Sequence, residues 1–271
     1  MMKIVLWILV ILVVLVFLIW LGLQITPRPF PDYPEPGSPG EEMAIPSDLP
    51  HPVRCFYRSV FGEEVSEIQT AVITGRGKMR IQGIRLPVRF RFTHEAGEGY
   101  RHYIEATFYG FPILKVNEYY LDGKGRMELP FGVIEDEPKV DQGANLGLWA
   151  ESVWFPSLFL TDPRVGWEAI DEVTASLVVP FGEQEERFIA RFDPQSGLLT
   201  FLESMRYKGA EGDKKILWIN EGRKWGEIDG HKTLVEGALV WFDEGSPWFV
   251  FKVEDARTNV DVSEYIRVKG P

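Results

Sequence analysis

The stretch ANLGLWAESVWFPSLFL, residues 144–160, decides the fold of this chain. Its pattern is compatible with a helix as far as Pro156, which must end or kink the helix because proline has no amide hydrogen and clashes with the preceding turn. Apolar side chains lie almost all round this helix: Leu146, Leu148, Trp149, Val153, Trp154, Phe155, Leu158 and Phe159. A helix that is apolar on most sides is buried on most sides. The stretch therefore predicts a helix that fills the concave side of a curved sheet.

Strand patterns occupy the chain on both sides of this helix. In LPVRFRF, residues 86–92, apolar side chains alternate with Arg89 and Arg91, as in a strand with one buried face. The next strand places four residues on one side: His102, Ile104, Ala106 and Phe108. Further strands are predicted at residues 174–179, 187–193, 198–207, 233–241 and 248–254.

Turn residues separate these strands and indicate how they connect. Hairpin turns are predicted at Asp122-Gly123, at residues 193–197 and at Asp229-Gly230. Strand following strand, with few helices between them, favours an antiparallel meander over βαβ units. The predicted class is mainly β with some helix (α+β). We expect a curved antiparallel sheet or incomplete β-barrel around the buried apolar helix, preceded by one transmembrane helix.

The N-terminal run IVLWILVILVVLVFLIWLGL starts at Ile4, ends at Leu23 and contains no polar or charged side chain. At about 1.5 Å per residue it spans about 30 Å, the thickness of the hydrocarbon core of a bilayer. A cleaved signal peptide is the alternative, but its apolar region is usually about 7–15 residues and ends at a small-x-small cleavage site. The run therefore predicts a membrane anchor. Lys3 precedes it, so the positive-inside rule favours a cytoplasmic N-terminus and a domain outside the cytoplasm.

A proline-rich segment follows the anchor. Its proline density predicts extended chain, interpreted as a spacer. A short amphipathic helix closed by Gly62 comes next. The predicted organisation is an anchor at residues 1–24, a stalk at 25–50 and one β-rich soluble domain at 51–271.

Charge and motif content exclude several classes of function. The formal net charge of −11 argues against a nucleic-acid partner, because phosphate binding needs a basic surface. The chain lacks a nucleophile elbow, a zinc-protease motif, a P-loop and a dinucleotide fingerprint. His51, His94, His102 and His231 have no zinc-ligand spacing and are interpreted as surface or strand histidines. No catalytic residue, cofactor or metal ligand is predicted.

Two groups of polar residues remain as binding candidates. Glu151 lies between Trp149 and Trp154, and burial would raise its pKa. It is interpreted either as a polar anchor at the mouth of a hydrophobic pocket or as a carboxylate paired with an arginine that fixes the helix. The predicted ligand-binding residues are Trp149, Glu151, Trp154, Phe155 and Phe108.

The second group is a basic run on the predicted hairpin: Arg76, Lys78, Arg80, Arg85, Arg89 and Arg91. One hypothesis places Arg80, Arg89 and Arg91 against lipid headgroups. The other interprets the run as the solvated side of a hairpin, with glutamates across from the arginines.

Three short motifs carry a family resemblance: WAESVWFPS at residues 149–157, GWEAID at 166–171 and FDPQSGLLTF at 192–201. They resemble a bacterial family of unknown function whose members look membrane-anchored or exported. The order of elements is also similar to that of lipoprotein carriers typified by LolA and LolB. That resemblance implies an incomplete antiparallel barrel around helices, with an apolar cavity for acyl chains, and it implies no catalytic residues. The anchor in place of a lipoprotein cysteine and the glutamate-rich surface depart from those carriers.

The leading functional hypothesis is a membrane-tethered, non-enzymatic module that binds a hydrophobic, lipid-like ligand between the sheet and the Trp-rich helix. The alternative is a structural or regulatory protein-interaction domain displayed at the membrane, with no small-molecule ligand. An enzyme would require a cleft with convergent titratable groups, which the sequence spacing does not indicate.

Overall fold

An antiparallel sheet of 13 strands forms most of the fold. The computed structural model describes residues 2–34, 37–268 and 270. The helices are α1 Met2–Gly22, α2 His51–Phe61, α3 Pro138–Glu151 and α4 Leu158–Thr161. The strands are β1 Glu42–Ala44, β2 Glu64–Ser66, β3 Thr70–Ile81, β4 Ile84–Glu95, β5 Gly99–Phe108, β6 Phe111–Leu121, β7 Lys124–Leu129, β8 Gly132–Ile134, β9 Gly166–Asp171, β10 Thr174–Phe181, β11 Gln184–Phe192, β12 Leu199–Tyr207, β13 Lys215–Ile228, β14 His231–Trp241 and β15 Pro247–Thr258.

The sheet consists of two meanders joined in its middle. Strands β3 to β8 run in order to one edge, and β9 to β15 run in order from the other edge back to β3. The two meanders meet where β15 pairs with β3, for example Val250 with Lys78. Because β8 and β9 are opposite edges, the connection that contains α3 must cross the sheet. The strands curve around that connection, so the predicted curved antiparallel sheet around a buried helix is confirmed.

Bulges and glycines allow the sheet to bend. The β13–β14 ladder shifts register between Gly222 and Lys224, and the β15–β3 ladder shifts between Val253 and Asp255. Such bulges increase the local twist of a sheet. A Cβ on Gly237 would lie 2.5 Å from the ring of Phe251, so only glycine allows this close packing between strands.

Helix α3 lies in the core on the concave side. Every residue from Val140 to Ala150 is buried. The helix starts earlier than predicted, with Pro138 in its first turn, where the missing amide hydrogen needs no partner. It also ends before Pro156: a 3-10 turn at Ser152–Trp154 follows, and α4 begins after the proline.

The core residues on the strands follow the alternation seen in the sequence. Leu86, Val88, Phe90 and Phe92 are buried in the main hydrophobic core, as predicted. Burying each such side chain contributes about 1.5–3 kcal/mol. Helix α2 matches the predicted amphipathic helix, and its Tyr57 hydroxyl donates to the carbonyl of Pro156 at 2.8 Å.

Residues 27–33, which we call the strap, lie on the face of the sheet opposite α3. The side chain of Phe30 is only 4% exposed. Arg76 Nη1 donates to the carbonyl of Pro27 at 2.9 Å, and Arg89 Nη1 donates to that of Arg28 at 3.2 Å. The prediction of a free spacer is wrong for these residues, because sheet arginines bind the carbonyl groups that proline-rich chain leaves unpaired.

The C-terminal segment packs on the same face beside the strap. Tyr33, Val72, Val260 and Val262 form a second, smaller hydrophobic cluster there. Arg101 Nε donates to the carbonyl of Ile266 at 2.6 Å. Both ends of the domain are therefore held on the outer face of the sheet.

Helix α1 is long and apolar enough to cross a membrane, with a mean hydropathy of 3.5 and no buried residue in its most apolar window. Its C-terminal end contacts the tip of the β5–β6 hairpin. The Tyr109 amide donates to the carbonyl of Gly22 at 3.0 Å, and the Tyr109 hydroxyl donates to that of Leu18 at 2.7 Å. The helix therefore leaves the domain from this hairpin.

Candidate functional site

An apolar cavity lies between the end of α3 and the concave face of the sheet. The ring of Trp154 forms part of its wall, 6.0 Å from Phe92 and 5.6 Å from Phe251 between ring centroids. Most of the remaining lining is apolar and includes Leu199, Leu202, Trp218, Leu234, Leu239 and Phe249. The cavity volume is about 40 Å³. One water needs about 10–15 Å³ of such a cavity, so a few waters fit. An acyl chain fits only if side chains or α3 move.

The five predicted ligand-binding residues do not all meet at this cavity. Glu151 and Trp154 line it. Phe155 is fully buried and packs against His94, while Trp149 is buried beside a different surface hollow. Phe108 lies far along β5, beside Gly22 and Tyr109.

Glu151 is the centre of a buried polar cluster on the cavity wall. Its Oε2 lies 2.6 Å from His102 Nε2 and 3.3 Å from His94 Nε2. In the β4–β5 ladder His102 pairs with Phe92, so His94 is its diagonal neighbour on the concave face. Glu151, the last residue of α3, points at both imidazoles. The predicted pairing of Glu151 with an arginine is not the one formed, because the atoms nearest its carboxylate belong to these histidines.

Burial shifts the pKa values of all three groups toward their neutral forms. It lowers the pKa of His94 and of His102 to about 4 each, and raises the pKa of Glu151 to about 7. The attraction between Glu151 and His94 opposes part of these shifts. Near pH 7 the imidazoles are therefore neutral, and the carboxyl group is close to its midpoint.

His94 is exceptional within this cluster. It is 0% exposed, and neither ring nitrogen has a hydrogen-bond partner among the described residues. A buried polar group left in that state costs about 1–3 kcal/mol.

Aromatic rings hold His102 from both sides. The ring of Tyr100 stacks on it at 4.0 Å with an interplanar angle of 19°, and Phe92 lies at 4.0 Å as well. The Tyr100 hydroxyl donates to Glu118 Oε1 at 2.7 Å. A Cβ on Gly147 of α3 would lie 3.3 Å from the Tyr100 hydroxyl oxygen, so glycine allows the helix to approach this ring closely.

Arg206 supplies positive charge beneath α3. Its guanidinium lies 4.2 Å from the ring centroid of Trp218. Burial lowers its pKa, and the nearby carboxylates of Glu118 and Glu151 oppose that shift. Arg206 therefore acts on Glu151 through space and does not form the close pair predicted from the sequence.

The cluster was not predicted from the sequence, because His94 and His102 do not have the spacing of a known metal-binding motif. A signal was nevertheless present: the alternation that buries Phe90 and Phe92 continues to His94. The alternation of the next strand likewise places His102 on the same side as Ile104 and Ala106. What the sequence could not supply was Glu151, which lies 49 residues beyond His102.

The basic run forms a cross-strand arrangement with glutamates. Arg89 pairs across β4 and β5 with Glu105, with Nη2 2.6 Å from Oε2. Arg80 pairs with Glu244. Arg91 is 6% exposed and donates to the carbonyl of Pro31. These contacts favour the hairpin interpretation, and they leave Arg91 without access to a lipid headgroup.

Comparison with known proteins places these elements in a family. Residues 41–253 match the family described as "Family of unknown function (DUF6544)". The chain belongs to this family. The match includes the cavity, both clustered histidines and Glu151, whereas α1 and the strap precede it. The comparison with curated proteins gives no match.

Several solved structures are similar to this chain. A DUF1329 family protein from Desulfovibrio piger is 14% identical over 73% of this chain and 88% of its own, with a TM-score of 0.41. A putative outer membrane lipoprotein-sorting protein domain from Vibrio parahaemolyticus is 10% identical over 72% and 87%, with a TM-score of 0.42. A LolA superfamily protein from Nitrosomonas europaea is 11% identical over 80% and 96%, with a TM-score of 0.45.

Proposed function

We propose that this protein is a membrane-anchored, non-enzymatic module that binds the apolar part of a lipid-like molecule in the cavity beside Trp154. The observation that carries the proposal is the cavity itself, which is lined mostly by aromatic and aliphatic side chains and has two glutamates, Glu151 and Glu221, in its wall. Pockets for apolar ligands have this composition, with a few polar groups that orient the ligand.

The contact between α1 and the domain supports an anchor that is retained in the mature protein. A Cβ on Gly22 would lie 2.4 Å from a ring carbon of Phe108 and 2.6 Å from one of Tyr109. The end of α1 thus fits closely against the hairpin. A signal peptide that is cleaved would not stay packed against the folded domain, so this fit favours a retained helix.

Exposed apolar side chains lie at the end of the sheet from which α1 leaves the domain. Phe111 is 73% exposed, Ile84 56% and Phe242 68%. They lie at or beside the turns after β5, β3 and β14, and all three turns are at one end of the sheet because β3, β5 and β14 run in the same direction. Exposed apolar clusters of this kind mark membrane or protein contacts. We infer that this end of the sheet rests on the bilayer from which α1 emerges.

A ligand would reach the cavity by displacing existing contacts. The volume of about 40 Å³ requires the ring of Trp154 to separate from Phe92 or Phe251 before a chain of several methylenes enters. Each buried methylene would then contribute about 0.8 kcal/mol. Glu151 would face a polar group of the ligand at the cavity wall.

The test compares binding of an added fatty acid by variants of the full chain purified in detergent. Ala238 lines the cavity and is fully buried, so Ala238→Leu fills the space that a ligand would occupy. Ala169→Leu, on the exposed edge strand β9, is the matched control. We expect the wild type and Ala169→Leu to bind a bromo-fatty acid that quenches tryptophan fluorescence, and Ala238→Leu to bind at least about tenfold more weakly. Equal binding by both variants, or no binding by the wild type, would contradict the proposal.

A further inference from the structure

In the cluster of His94, His102 and Glu151, hydrogen bonds within the described residues do not satisfy every buried polar atom. His102 and Glu151 are joined at 2.6 Å, but both ring nitrogens of His94 lack a hydrogen bond among the described residues. His94 Nε2 nevertheless lies 3.3 Å from Oε2 of the carboxylate. A fully buried imidazole that lies beside a carboxylate and makes no hydrogen bond among the described residues indicates a partner that the polypeptide does not supply.

The spacing of the three ligand atoms suits a metal ion. One atom from each residue lies within 4.8 Å of the other two. Zinc binds imidazole nitrogen and carboxylate oxygen at about 2.0–2.2 Å, which places the atoms of a tetrahedral site about 3.4 Å apart. The separation between His94 Nε2 and Glu151 Oε2 already has this value. His102 would have to move away from Glu151 by less than about 1 Å.

We propose that His94 Nε2, His102 Nε2 and one carboxylate oxygen of Glu151 bind a first-row transition-metal dication, with Zn²⁺ the ion that suits two imidazoles and a carboxylate best. Three protein ligands leave a fourth position for water or another ligand, and one of the three, Glu151, also lines the apolar cavity. The site stands on its own geometry, whether or not the cavity binds a lipid-like molecule.

The surroundings of the cluster are consistent with a cation. The ring of Tyr100 and that of Phe92 hold the plane of His102, as a preorganised ligand requires. Glu118, hydrogen-bonded to Tyr100, supplies a second carboxylate close by. Arg206 is a nearby cation that opposes the ion, and the carboxylate of Glu118 offsets its charge.

The first experiment measures zinc binding by the full-length protein in detergent after metal is removed with EDTA. Every protein carries Cys55→Ser, because the chain's only thiol lies 3.6 Å from His51 and the two could bind zinc separately. We expect one Zn²⁺ per chain in this background. His94→Gln, His102→Gln and Glu151→Gln should each weaken binding at least about 100-fold. His231→Gln, which removes an exposed histidine outside the cluster, should leave binding unchanged.

The second experiment needs no variant of the ligands. X-ray absorption at the zinc edge on the loaded Cys55→Ser protein should show two imidazole nitrogens and carboxylate oxygen in the first coordination shell. Absence of stoichiometric zinc in this protein would overturn the proposal, and would leave water as the partner of His94. A shell with a single imidazole, or equal zinc affinity in His94→Gln and His231→Gln, would overturn it as well.

Discussion

The guanidinium carbon of Arg89 lies 4.3 Å from the ring centroid of Phe30, which joins the β4 strand to the strap. Arg89 also binds Glu105 on β5, so one side chain connects the N-terminal segment with two strands. The distance between α1 and the domain is thereby set by packing, since the strap cannot extend as a free linker while Phe30 is buried.

Removal of the Phe30 ring should destabilise the domain. Phe30→Ala deletes a side chain that is 4% exposed, and truncation of buried phenylalanine costs about 3–5 kcal/mol in protein cores. We expect a loss of about 3 kcal/mol in the free energy of unfolding, because the ring packs on arginines and not in the main core. Chemical denaturation of the full chain in detergent measures it. Phe111→Ala, at a surface position, is the control and should change stability by less than about 0.5 kcal/mol. Equal stabilities of the two variants would refute the role of the strap.

The fit of α1 against the β5–β6 hairpin should depend on the absence of a side chain at position 22. Gly22→Leu would place atoms where the rings of Phe108 and Tyr109 now lie, so the helix end should separate from the hairpin. The Tyr109 amide, which donates to Gly22, should then exchange its hydrogen faster. Hydrogen–deuterium exchange with mass spectrometry on the peptide containing Tyr109 checks this. Gly166→Ala, at a position with open space around it, should leave the exchange rate unchanged.

The hairpin tips around α1 should contact lipid in a bilayer. A spin label at Phe111 is expected to be accessible to oxygen dissolved in the membrane and protected from a water-soluble nickel complex. A label at Ile170, which is also exposed but lies at the opposite end of the sheet on β9, should show the reverse. Power-saturation measurements on the full chain reconstituted in bilayers compare the accessibility of the two labelled positions. The same accessibility at both positions would argue against a domain that rests on the bilayer.

The buried carboxyl group predicts a specific pH dependence. Because burial raises the pKa of Glu151 to about 7 from its usual 4.5, the folded state binds more protons at this site than the unfolded state between those values. This residue therefore makes the fold less stable as the pH rises through that window. In Glu151→Gln the contribution is absent, so the melting temperature at pH 8 relative to that at pH 5 should be higher than in the wild type.

The two histidines act in the opposite direction. Their lowered pKa values mean that the unfolded state binds more protons between about pH 4 and 6.5, so they destabilise the fold as the pH falls. Glu151→Gln also removes the attraction that raises the pKa of His94, so the comparison measures Glu151 together with its coupling to that histidine. Melting curves in EDTA, with Glu64→Gln as an exposed control, measure the effect. A wild-type and a Glu151→Gln curve with the same pH dependence would show that Glu151 is ionised in the fold.

Local features of the chain were predictable because neighbouring residues encode them. The turns at Asp122-Gly123 and Asp229-Gly230 have positive φ at both positions, as the sequence of a tight hairpin indicates. The strands at 174–181, 199–207 and 247–258 were predicted to within a few residues. By contrast, β13 was missed, because most of its residues are half-buried and no clear alternation results.

Long-range features were not predictable in the same way. The pairing of β15 with β3 brings together residues such as Val250 and Lys78. The sequence of neither strand indicates which strand it pairs with. The same holds for the candidate site. Glu151 was recognised from its apolar neighbours, whereas its contact with His94 and His102 depends on where α3 crosses the concave face.

The sequence by itself determined an apolar N-terminal helix, an antiparallel sheet and a buried helix within it, because these depend on hydrophobic periodicity and turn residues. The tertiary structure alone decided that the proline-rich strap lies on the sheet and that His94, His102 and Glu151 meet. Both depend on burial of polar groups that must find partners among distant residues. For the strap those partners are Arg76, Arg89 and Arg91, and for His94 we infer that the partner is a metal ion.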